Sequence, residues 1–116
     1  MLDKSVPYAG VLMRRAPGRP PAAVLPEGYA FRLFRSGDER AWARIETSVA
    51  EFPDEQSALA HFERTFLPHL AELERRCLFI ESPAGDLVAT GTAWWAYSGA
   101  RRDPWFHWLA VSPDQQ

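Results

Sequence analysis

The chain has one cysteine in 116 residues, Cys77, so no internal disulfide can form. That excludes the disulfide-stapled secreted scaffolds and makes a reducing compartment, the cytoplasm, the expected home. Long apolar runs are missing as well. No stretch approaches the roughly 20 apolar residues that cross a bilayer, and Asp3 and Lys4 precede only a short mixed segment, not the apolar core of a signal peptide. A basic surplus is also lacking, since 13 Lys and Arg stand against 15 Asp and Glu. Nucleic-acid binders normally carry the opposite balance, and no Lys or Arg interleaves the Trp-rich segments as such binding requires. Neither nucleic acid nor membrane is an expected partner.

What is present is a globular composition, 47% hydrophobic and 24% charged, at a length that suits one domain. Five Trp, seven Phe and three Tyr fit a packed core or a ligand slot. Charge is mildly uneven: residues 1–40 hold seven Arg and Lys against four acids, and residues 41–80 hold four against seven. A solvated surface accounts for that. Cys77 opens an apolar run with no nearby His or Asn to activate it, and reads as a small buried hydrophobe.

Along the chain, Val6–Arg15 has strand-like content. Pro17, Pro20, Pro21 and Pro26 then make an extended arm that no helix can occupy. Residues 1–26 are thus an N-terminal strand and proline-rich arm, and residues 27–116 the core of a single domain. Tyr29–Arg35 reads as a first core strand. Ser36 and Glu39 have capping-box spacing, in which each side chain satisfies an unpaired backbone N–H. The helix so announced carries Trp42, Ile45, Val49 and Phe52 as one apolar stripe. Pro53 ends it and Asp54 caps a second helix bearing Leu59, Phe62, Phe66, Leu70 and Leu73, which Pro68 should kink or split.

Three strands follow. Cys77–Glu81 is short, 82–86 is a turn of hairpin composition, and 87–97 returns as a long strand in which Gly91 marks a bulge or a close approach. Residues 98–104 read as a loop, and the last strand begins at Trp105. From Trp105 to Val111 the one polar side chain is His107. A strand apolar on both faces belongs inside a covered sheet, so the chain looks unfinished at Gln116.

This order, ending in Trp108-Leu-Ala-Val111 and Ser112-Pro-Asp-Gln-Gln116, resembles the first half of a GNAT-type N-acyltransferase over residues 27–116. The resemblance implies an α+β fold, with a mixed, mostly antiparallel sheet and two N-terminal helices, incomplete at the C-terminus. It implies transfer of an acetyl group from acetyl-coenzyme A to a primary amine, on a small molecule or a peptide. By the same resemblance the main chain of Leu109 and Val111, with Ala110 between them, would bind the pantetheine arm. Gln116 would stand at the first position of a pyrophosphate loop whose glycines are absent.

The reaction needs a proton acceptor for the amine. The resemblance points to His107 on the fourth core strand, and alternation would put its side chain on the face of Leu109 and Val111. Glu81 is a second, weaker candidate. Glu46, Trp94 and Trp95 could line the acceptor pocket, the two Trp pointing to opposite faces. Arg101 and Arg102 read as an exposed loop. His61 and His69 are eight residues apart, too far along one helix to share a metal, and no metal is expected. The alternative is a non-catalytic binding or assembly module. It would pair its exposed last strand with a partner, which includes a second copy of the chain.

Overall fold

The computed structural model describes residues 5–7 and 9–116. Its elements run β1 (Ala30–Leu33), α1 (Glu39–Ser48), α2 (Glu55–Thr65), a 3-10 turn (Leu67–His69), α3 (Leu70–Arg76), β2 (Cys77–Glu81), β3 (Leu87–Ser98), β4 (Arg101–Val111) and a 3-10 turn (Pro113–Gln115). The four strands make one antiparallel sheet in the order β1-β2-β3-β4. The class is α+β, with the helices on one face of the sheet.

Several local expectations hold. Asp54 caps α2 by accepting from the Ser57 N–H at 2.7 Å. Pro68 splits the second helix, because its ring clashes with the preceding turn and it has no N–H to give. Gly91 sits where β4 shifts register, and a Cβ there would meet the Phe106 ring at 2.7 Å.

Others are corrected. Residues 6–7 and 9–15 form no strand, and Val11, Leu12 and Met13 are exposed (Tyr8 lies outside the described residues). The Ser36–Glu39 capping box does not form. Asp38 takes the N-cap position, but its carboxylate is drawn away to the Arg35 N–H and the Arg32 guanidinium. Glu39 bonds the Gly37 N–H instead. The stripe expected to run to Phe52 stops as helix at Ser48. There Ala50 N–H bonds Thr47 O and Glu51 N–H bonds Glu46 O, the paired bonds of a Schellman end, with Ala50 at φ 65°.

The loop expected over residues 98–104 shrinks to Gly99 and Ala100, and β4 begins at Arg101. Pro104 can sit inside β4 because β4 is an edge strand. Ser112 N–H donates to Val88 O, which sets the phase of the ladder. Counting through the register, Pro104 turns its nitrogen to the free edge, where no hydrogen bond is forfeited.

The core lies between the helices and one sheet face. Trp42, Ile45, Phe62, Phe66, Leu73 and Phe79 are fully buried there, each worth about 1.5–3 kcal/mol of burial. The opposite face carries Phe31, Leu33, Leu78, Ile80, Phe106, Leu109 and Val111 along an apolar groove of about 420 Å³. Among the described residues no helix is long and apolar enough to cross a membrane.

Candidate functional site

The C-terminal half of β4 departs from regular pairing. Thr92 faces His107 and Thr90 faces Ala110, so two steps on β3 match three on β4. The extra residue is a bulge, and Trp108 absorbs it at φ 54°. Beyond it, Ala110 and Ser112 turn their main chains toward β3, and Leu109 and Val111 turn theirs to the free edge. Gln116 Nε2 donates to the outward Val111 carbonyl at 2.9 Å. The free edge is therefore of two kinds. Its first half is blunted by Pro104 and flanked by Arg101, Arg102 and Asp103, and its second half offers apolar side chains and main chain that no neighbouring strand pairs.

The bulge corrects one expectation directly. A one-residue insertion flips every side chain beyond it to the other face. His107 pairs with Thr92 on the helix-covered face, while Leu109 and Val111 line the open groove. His107 does not share their face. Burial pushes its imidazole below the ordinary 6.5, while a hydrogen bond with the Trp95 main chain pulls it up. Its Nε2 is buried and has no protein partner, which leaves Nδ1 for the Trp95 bond. His61 of α2 is held low for a related reason: burial first, then Arg64 and His107.

Glu46 is wholly buried, on the sheet-facing side of α1, with both carboxylate oxygens unpartnered. Burial raises its pKa to about 8, helped by Glu51, which the Schellman turn folds back against the same helix end. A carboxyl in that position is protonated at neutral pH. It faces protein and does not line the apolar groove on the opposite sheet face.

Glu81 is tied into an ion-pair network. Arg32 spans β1 and β2, bonding Glu81 at 3.2 Å and Asp38 at 2.8 and 2.9 Å. The Asp38 carboxyl lies below its ordinary value, although burial opposes this, because Arg32 and the Arg35 N–H hold its charged form. Glu81 joins the Arg32 network on strand β2, two strands from β4.

Trp94 and Trp95 do not separate to opposite faces. Their rings stack at 4.1 Å and 12°. Trp94 packs on Phe66 in the core, and Trp95 is covered by Arg76 and Arg102 at 5.7 and 5.0 Å. Arg101 pairs with Asp103. Gln115 accepts from the Tyr29 hydroxyl at 2.6 Å, fastening the last turn to the start of β1. Among the described residues no group of three or more His, Cys, Asp or Glu could hold a metal.

The strand and a bulge at Gly91 are legible in the sequence, since a glycine opposite the bulge admits the Phe106 ring. The depth of Glu46 and the place of Thr92 and His61 beside His107 are not.

No family model and no curated protein matches this chain. Among solved structures it is similar to the crystal structure of a GCN5-related N-acetyltransferase from Sphaerobacter thermophilus. The identity is 17% and the TM-score 0.49, covering 78% of this chain and 28% of that one. The chain thus spans less than a third of that protein.

Proposed function

We propose that this chain belongs to an N-acyltransferase that moves an acetyl group from acetyl-coenzyme A to a primary amine. One observation carries the reading. The main chains of Leu109 and Val111, which the sequence resemblance assigns to the pantetheine arm, point to a free edge beyond a bulge. A ligand amide can add to such an edge as a strand does, pairing groups that the sheet leaves open. Acetyl-coenzyme A would supply the thioester. Gln116 stands beside the same edge on the Val111 carbonyl and would move aside or bond the ligand in its turn. His107, neutral at pH 7 because burial holds its pKa down, would take the amine's proton on the helix-covered face.

The test is titration with acetyl-coenzyme A, followed by amide resonances. Weak binding is expected, with shifts concentrated from Trp105 to Gln116. No shift along β4 at millimolar ligand would sink the reading.

A second reading has its own observation. The open half of the edge, with Leu109 at 71% exposure, could instead pair with a strand of a second copy. Concentration-dependent dimerisation that Leu109→Lys abolishes would favour it.

A further inference from the structure

Buried polar atoms without a protein partner gather in one layer between the helices and the sheet. They are Trp42 Nε1, both Glu46 oxygens, His61 Nε2, Thr92 Oγ1 and His107 Nε2; of the described residues only Thr47 Oγ1 adds to them. Neighbour relations join them. Trp42 and Glu46 are one turn apart on α1. Glu46 lies near enough to Cys77 to oppose its ionisation, and Cys77 stands in register with Thr92, whose hydroxyl has only that weakly bonding thiol beside it. Thr92 stands in register with His107. His107 is near enough to His61 to oppose its protonation, and His61 stacks on Trp42 at 6.3 Å and 9°. The circuit closes on itself.

A buried polar group left without a partner costs about 1–3 kcal/mol. Six in one layer would rival the whole stability of a domain, about 5–15 kcal/mol. Folded proteins meet this by enclosing water that makes about three hydrogen bonds to such groups. The layer has the polar partners such water requires: ring nitrogens on β4 and α2, a hydroxyl on β3 and a carboxyl on α1.

We propose that ordered water joins Glu46, Thr92 and His107 in one buried network, with the Glu46 carboxyl as donor at one end and His107 Nε2 as acceptor at the other. Glu46 is then a positioning residue. It holds water against Nε2 and keeps the imidazole as the Nδ1–H tautomer. The other titratable neighbours, Glu51 at the helix end, Cys77 on β2 and His61 on α2, complete the surroundings. Resting on the reading of His107 as proton acceptor, the network fixes which ring nitrogen would take the proton, Nε2.

The experiment is a high-resolution crystal structure of the chain, joined to ¹⁵N resonances of the His107 ring. Density for water bridging Glu46, Thr92 and Nε2 is expected, with Nε2 at the frequency of a hydrogen-bonded acceptor. Glu46→Gln, which still donates through its amide, should keep that frequency. Glu46→Leu should move it toward an unbonded nitrogen, and Thr92→Val reads the same network if Glu46→Leu fails to fold. A dry layer, or an Nε2 frequency unchanged in Glu46→Leu and Thr92→Val, overturns the proposal. Neither readout needs acetyl transfer, so failure to bind acetyl-coenzyme A would remove the acyltransferase reading and leave the network standing.

Discussion

His107 and Leu109, two residues apart on β4, project from opposite faces of the sheet because Trp108 between them takes a left-handed φ of 54°. An L-residue there carries roughly 1–2 kcal/mol of strain. The indole offsets it, packing against Trp42 at 5.8 Å, Phe52 at 5.1 Å and His61 at 5.1 Å. Trp108→Ala should cost about 2–4 kcal/mol, since it deletes the ring and keeps the strain. Trp108→Gly removes both, so it should be the more stable of the two variants in urea. Equal stabilities would show that the backbone there is unstrained.

Glu46 makes stability fall as pH rises. Its folded pKa is about 8 against 4.5 for the free side chain. Between those values the unfolded chain has lost the proton and the folded chain has kept it, so the folded state binds more protons. Unfolding free energy should then drop with pH across that window, by at most about 1.4 kcal/mol per unit. Glu46→Gln should flatten the dependence and be the more stable protein at pH 8. Denaturant midpoints at pH 5, 6.5 and 8 decide it. Parallel curves for wild type and variant would mean that Glu46 is solvated.

Ala50 occupies the position that helices usually give to glycine. It is the left-handed residue of the Schellman turn closing α1, at φ 65°, and it is exposed. Ala50→Gly should raise stability by about 0.5–1 kcal/mol, because the steric cost of the Cβ exceeds the added entropy of the unfolded chain. A loss in thermal denaturation would show that the methyl packs better than the backbone suffers.

Much of the architecture was legible because periodicity and punctuation carry it. Asp54 and Pro68 mark where the second helix starts and breaks, and Cys77–Glu81 with its turn reads as one arm of a hairpin. What failed depends on competition or on counting. Ser36 and Glu39 had the right spacing, yet Asp38 is claimed by Arg32 and Arg35, a partnership made across the fold. The site suffered from counting. Period-two alternation places His107 beside Leu109, and a single inserted residue inverts that answer with no trace in the hydrophobic pattern. Glu46 lay just off the helix stripe and read as a pocket-lining candidate, because the depth of a carboxyl depends on what packs above it.

His107 and Glu81 can be told apart as proton acceptors by their pH profiles. Acetyl transfer through His107 requires the neutral ring, so turnover should rise with pH through a pKa lowered below 6.5 by burial, then level off. His107→Gln should lower turnover by about 10²–10⁴-fold, the usual range for a general base, and erase that limb. Glu81→Gln leaves the Arg32–Asp38 pair in place. It should cost less than about 1 kcal/mol in stability, as a partly exposed ion pair does. It should leave both turnover and profile unchanged. Rates of acetyl transfer to a panel of primary amines, measured from pH 5 to 9 on the three proteins, test the assignment. An intact limb in His107→Gln, with its loss in Glu81→Gln, would exchange the roles.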